Sequence, residues 1–155
     1  MLNRRSTLGL FGAAALAGWA PRAGAADDRL SLSDAEWRGK LTPEQFYILR
    51  QAGTERPFSS PLLHEKRAGV FACAGCSRDL FASDTKFDSG TGWPSFWAPL
   101  EKAVRESEDR TFGMVRTAVN CSRCDGHLGH VFDDGPKPTG LRYCMNGAAL
   151  TFRPA

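Results

Sequence analysis

No apolar stretch in this chain is long enough to span a bilayer. The longest, from Leu8 to Ala20, is rich in Ala and Gly and falls short of the roughly 20 apolar residues that a crossing helix needs. Excess charge is missing as well. The whole sequence has 20 Lys and Arg against 17 Asp and Glu, but Arg4, Arg5 and Arg22 lie in a stretch that reads as removable, and without them basic and acidic residues balance at 17 each. A balanced chain without a basic patch offers no footprint for nucleic acid or an anionic membrane surface. Internal repeats and low-complexity segments are absent after residue 25, and beyond Gly53 no stretch sustains a helical period. Helix is therefore expected only in the N-terminal third.

Residues 1 to 25 have the layout of an export signal. Asn3-Arg4-Arg5-Ser6-Thr7-Leu8 supplies paired arginines, the weakly apolar run follows, and Ala23-Gly24-Ala25 offers a small-residue cleavage site. The pattern resembles a twin-arginine signal, which exports folded proteins. The alternative is an ordinary secretory signal whose arginines merely provide its positive start. Either way the expectation is an exported protein, in a bacterial periplasm, with no stable membrane anchoring after processing. Residues 26 to 155 are then one domain able to bury one modest core.

Two capping-box sequences open that domain: Ser33-Asp34-Ala35-Glu36 and Thr42-Pro43-Glu44-Gln45, the second with proline at the first helical position. The second predicts a short helix from about Pro43 to Gln51, ended by Gly53 and Pro57. After it come short apolar or alternating stretches separated by Gly, Pro, Asp and Asn: Val70 to Cys73, Thr111 to Asn120, Gly129 to Phe132, Leu141 to Met145 and Ala148 to Phe152. With 16 Gly and 9 Pro in the chain, the expected class is mainly β with short N-terminal helices.

Four of the five cysteines form two CxxC turns, Cys73-Ala-Gly-Cys76 and Cys121-Ser-Arg-Cys124. Two such knuckles supply the four thiolates that tetrahedral zinc takes. The gap from Cys76 to Cys121 exceeds the roughly 15 to 20 residues of a self-contained finger. One structural Zn(2+) would thus clamp two parts of a larger domain and leave no open coordination position. Disulfides, or redox-active CxxC pairs, are the competing reading in an exported protein. Zinc loaded onto reduced thiols before export of the folded chain reconciles the cluster with an oxidising destination. Cys144 has no CxxC partner. It is either a buried inert cysteine packed by Leu141 and Tyr143 or, beside Arg142, a free nucleophilic thiol.

Ser89-Gly-Thr-Gly-Trp-Pro-Ser-Phe96, Gly126-His-Leu-Gly-His-Val-Phe132 and Leu141-Arg-Tyr-Cys-Met-Asn146, together with Gly53-Thr-Glu-Arg-Pro-Phe58 and both CxxC pairs, closely resemble the B-type methionine sulfoxide reductases. The resemblance runs in order from about Leu41 to Phe152. It implies a fold of two antiparallel sheets arranged like a tent, with the zinc far from the active face. It also implies an enzyme that reduces the R epimer of methionine sulfoxide in oxidised proteins. Cys144 resembles the nucleophile, whose thiolate attacks the sulfoxide sulfur and is left as a sulfenic acid. His130 and His127 resemble the pair that supplies the proton to the departing oxygen. Arg142 and Asp134 resemble the charged residues that tune and orient them, Asn146 the polar residue beside the thiol, and Trp93 the wall that receives the sulfoxide methyl. His64 lies outside the matched motifs and reads as a surface residue.

Taken singly, each of these residues has a bland reading: Trp93 as core packing, Asn146 as a turn residue, Asp134 as loop chemistry, the histidines as surface residues. Their joint match to one family carries the assignment. One departure bears on mechanism. Where many members carry a second, resolving cysteine, this chain has Thr91, and no thiol is left once four are given to zinc. Regeneration of Cys144 would fall to an external thiol, from a thioredoxin-like protein or a glutaredoxin and glutathione system. The expected enzyme is a monomer. The contrasting class is a zinc-stabilised binding module with an inert Cys144.

Overall fold

The computed structural model describes residues 28–155; the expected export signal lies outside them. Both capping boxes close. Ser33 Oγ accepts the Glu36 N–H while the Glu36 carboxylate accepts the Ser33 N–H, which starts α1 (Asp34–Lys40). Thr42 and Gln45 repeat the exchange at the start of α2 (Pro43–Gln51), whose bounds are those the sequence predicts. Satisfying otherwise orphaned N–H groups in this way stabilises helices this short, which would be marginal alone. Trp37 of α1 and Phe46, Ile48 and Leu49 of α2 are buried against the sheets.

Nine strands follow. They are β1 (Gly69–Cys73), β2 (Asp79–Ala82), β3 (Lys86–Phe87), β4 (Ser95–Phe96), β5 (Val104–Asp109), β6 (Arg116–Cys121), β7 (His127–Phe132), β8 (Arg142–Met145) and β9 (Leu150–Pro154). They form two antiparallel sheets, one of three strands in the order β2-β1-β9 and one of six in the order β3-β4-β8-β7-β6-β5. The expected mainly β class with two antiparallel sheets is what the structure shows. Among the described residues no helix is long and apolar enough to cross a membrane.

The two sheets meet through aromatic rings. Phe81 of β2 stacks on Phe96 of β4 with ring centroids 4.4 Å apart, and Phe71 of β1 meets Phe96 edge-on at 5.0 Å. Offset stacks and edge contacts of this kind add to the burial of large apolar area. Tyr143 of β8 joins the same cluster, 5.9 Å from Phe81. Successive strand side chains point to opposite faces, so with Tyr143 and Met145 buried in this core, Arg142 and Cys144 must stand on the other face of β8.

Several elements depart from the sequence reading. The strand expected from Thr111 begins only at Arg116, because Thr111–Gly113 form a 3-10 turn with Phe112 in the left-handed region at φ 56°. The Asp109 carboxylate holds that turn by accepting from the Thr111 N–H and hydroxyl. The stretch expected from Ala148 likewise starts as a turn, Gly147–Ala149, and becomes strand only at Leu150. Strand β5, Val-Arg-Glu-Ser-Glu-Asp, was not predicted. It lies at the edge of the six-stranded sheet, where exposed charges blunt further pairing and erase the apolar alternation by which strands are recognised.

Candidate active site and metal centre

The four paired cysteines converge. All four sulfurs lie within 4.8 Å of one another, and all four residues are buried. The close approaches run between the two turns, Cys73 to Cys124 at 3.7 Å and Cys76 to Cys121 at 3.5 Å. Sulfurs about 2.3 Å from a tetrahedral zinc would be separated by about 3.8 Å, so the cluster has the size of a zinc site. Disulfide sulfurs would lie about 2.05 Å apart. A dication is also what the donor set requires, since four buried thiolates would otherwise repel one another. Chain connectivity makes the site a clamp. It joins the turn after β1 in one sheet to the turn between β6 and β7 in the other, and Leu49 of α2 sits beside both turns at Gly75 and Gly126.

The second site lies on the outward face of β7 and β8. Their register sets His130 directly opposite Cys144 and Phe132 opposite Arg142, and β4 places Ser95 opposite Cys144 on its other side. Close strand pairing needs glycine at one point: a Cβ on Gly129 would come 2.1 Å from the Cys144 carbonyl oxygen. Cys144, His130, Arg142, Asn146, Trp93 and Thr91 line one cavity of about 320 Å³. Cys144 is half-buried, the other four cysteines fully so.

Burial pushes the Cys144 thiol up, since desolvation disfavours the thiolate. The Thr91 hydroxyl, 3.9 Å from the sulfur, and the Arg142 guanidinium pull against it. Arg142 is fixed from behind by two hydrogen bonds of 2.8 Å to Asp134, whose carboxyl they hold below its ordinary value, and it lies 4.4 Å over the Phe132 ring. Asp134 itself is exposed and does not line the cavity. It acts on the site through Arg142.

Asn146 and Trp93 are both tied to Glu55. Asn146 Oδ1 accepts the Glu55 N–H at 3.0 Å, Asn146 Nδ2 donates to the Leu128 carbonyl, and Trp93 Nε1 donates to the Glu55 carbonyl at 3.2 Å. The Glu55 carboxylate, buried and therefore shifted upward, accepts the N–H groups of Gly147 and Ala148. Sequence reading placed Glu55 in a matched motif but gave it no task, because its partners lie about ninety positions away.

The two histidines differ. His130 Nε2 lies 2.7 Å from the Asp109 carboxylate. His127 starts β7 at an irregularity in its pairing with β6, where the intervening Leu128 turns into the core. Such bulges re-aim side chains, and the two imidazoles end 5.2 Å apart. His127 is 7% exposed and its Nε2 has no hydrogen-bond partner. Burial, with a smaller push from His130, brings its pKa down to about 4. It is therefore neutral where His130 remains the ring facing the thiol. His64 is exposed, as expected, and does not line the cavity.

Two outcomes follow from this geometry. Cys121→Ser removes one thiolate from the clamp, so bound zinc and thermal stability should fall together, read by metal analysis and calorimetry; a folded, zinc-free variant as stable as the parent would contradict the clamp. His127 is harder to protonate folded than unfolded, so the stability it contributes is complete above its ordinary value of 6.5 and is lost as pH falls from there toward about 4. At about pH 5 the loss should be about 2 kcal/mol. Urea unfolding at two pH values should show that loss in the parent and not in His127→Gln.

A SelR domain model matches residues 41–154. Among curated relatives, the peptide methionine sulfoxide reductase MsrB of Agrobacterium fabrum is 56% identical over 127 residues, covering 81% of this chain and 94% of its own. The protein of the same name from Thiobacillus denitrificans is 58% identical over 123 residues, 79% of this chain and 93% of its own. That of the archaeon Methanosarcina mazei is 53% identical over 128 residues, 82% and 91%. With a family model spanning most of its length and relatives this similar over nearly their whole sequences, the chain belongs to the SelR domain family, the MsrB proteins.

Proposed function

We propose that this chain reduces the R epimer of peptide methionine sulfoxide to methionine, with Cys144 as the nucleophile. The observation that carries the reading is the pairing of a half-buried thiol with a histidine directly across β7 and β8, beside an indole, in one small cavity. Membership of the MsrB family supports the reaction class.

In this reading the sulfoxide methyl lies against the Trp93 ring, an apolar face held in place by its Nε1 hydrogen bond. The Cys144 thiolate, favoured by Arg142 and Thr91 against the cost of burial, attacks the sulfoxide sulfur. His130 gives its proton to the oxygen as the S–O bond breaks. The attack forms an S–S bond between Cys144 and the methionine sulfur as the protonated oxygen departs as hydroxide; that hydroxide then bonds Cys144 Sγ as the S–S bond breaks, so methionine leaves two electrons richer and Cys144 is left, two electrons poorer, as a sulfenic acid. His127, kept neutral by burial, is not the donor; it packs against His130. Asn146 sets the floor beside the thiol.

Regeneration falls to a thiol from outside. The four other cysteines are committed to the metal clamp, and Thr91, its hydroxyl 3.9 Å from the Cys144 sulfur, stands where a resolving thiol would need to be. Two external thiols, from a thioredoxin-like protein or a glutaredoxin and glutathione system, would return Cys144 to the thiol and leave as a disulfide and water. The signal-like residues 1 to 25 support an exported enzyme that repairs proteins oxidised in the bacterial periplasm. In this reading it acts as a monomer on varied oxidised proteins.

Separate R and S epimers of a peptide methionine sulfoxide, offered with dithiothreitol, test the reading. Turnover of R alone is expected, and it should vanish in Cys144→Ser while zinc content stays intact. Equal turnover of both epimers would overturn the stereochemistry, and an active Cys144→Ser would overturn the nucleophile.

A further inference from the structure

His130 is anchored from two strands away. Its register partner on β6 is Ala118, whose methyl group offers it no hydrogen bond. Asp109, at the end of β5 opposite Arg116, fills that gap. Its Oδ2 lies 2.7 Å from His130 Nε2 and also accepts from Arg116 Nη2 at 2.7 Å. Its Oδ1 accepts from the Thr111 N–H at 2.9 Å and from the Thr111 hydroxyl at 2.7 Å. Both oxygens are thus occupied by donors, with the Thr111 bonds foremost in holding the carboxyl far below its ordinary value. An ionised carboxylate only accepts, so the imidazole nitrogen facing it must carry hydrogen. The 3-10 turn that displaced the start of β6 is what positions Thr111 for this task.

We infer that Asp109 is the positioning residue of the proton donor: it keeps His130 Nε2 protonated, so that the imidazolium gives its proton to the reacting oxygen from Nδ1 and the ring returns to the Nε2–H tautomer. The inference rests on the reading of His130 as that donor. Arg116 and the Thr111 turn keep Asp109 charged and aimed, so the acid has a carboxylate and an arginine behind it on the β6 side. Arg142 and Asp134 form the corresponding pair behind the thiol on β8. Asp109 does not line the cavity. It reaches the cavity through the imidazole and through Arg116, which lines it, so it is expected to change the chemical step more than substrate binding.

Asp109→Asn is the informative variant. To keep both Thr111 bonds the amide must present its NH2 group to His130, and a donor there selects the opposite tautomer. Turnover with dithiothreitol should fall on the order of a hundredfold, as when a general acid is lost, with KM changed less than about threefold and zinc content unchanged. In a His130→Gln background the same substitution should cost nothing further. Nitrogen-15 NMR of the zinc-loaded wild-type chain should show neutral His130 protonated on Nε2.

The outcomes separate the two levels. If His130→Gln is as fast as wild type, the donor reading fails and the positioning role goes with it. If His130→Gln is slow while Asp109→Asn is fast, or the two losses multiply, the donor stands and the positioning role is overturned. Should Asp109→Asn fail to fold, the wild-type NMR spectrum decides: an Nδ1-protonated ring would overturn the inference.

Discussion

The pleat of β8 governs what meets at the site. Burying Tyr143 and Met145 under the aromatic cluster that joins the sheets leaves Arg142 and Cys144 no choice but the outward face. A slip of one residue would exchange the two sets and bury an arginine. Antiparallel pairing then transmits that choice sideways. His130 and Ser95 flank the thiol because they are its register partners, and Phe132 lies under Arg142 for the same reason. The metal clamp and the Phe71, Phe81 and Phe96 contacts hold the two sheets in the relation that keeps this face formed.

Around that row, each chemical group is aimed by a charged partner. Arg142 is held by Asp134, and Asp109 is held by Arg116 and Thr111. Glu55 ties Asn146 and Trp93 to one backbone segment, which fixes these two cavity walls relative to each other. Burial works in two directions here. It raises Cys144 and lowers His127, in each case favouring the neutral form. A neutral His127 adds no positive charge beside His130.

The parts of this arrangement written locally were legible in the sequence. Capping boxes announced α2 to the residue, the CxxC spacing announced the metal cluster, and Trp93, His130, Arg142, Cys144 and Asn146 sit in compact motifs that the fold gathers into one cavity. Asp134, a neighbour in sequence, meets the site only through its hydrogen bonds to Arg142. What escaped was long-range. Asp109 reaches His130 across β6 with no local pattern to mark it, and Glu55 reaches Gly147 from a motif that does not reveal its task. Strand β5 carries charges on an edge, where burial imposes no alternation. The start of β6 was misjudged because a side chain, Asp109, pins the preceding residues into a turn that propensity does not reveal.

The most direct test of the account is a single turnover without reductant. The zinc-loaded chain is mixed with excess R-sulfoxide peptide and dimedone, and product and modified cysteine are counted together. One equivalent of methionine per chain, with the dimedone adduct on Cys144 alone, is the predicted result. Formation of a disulfide between Cys144 and one of the CxxC cysteines, or methionine formed with Cys144 unmodified, would contradict it.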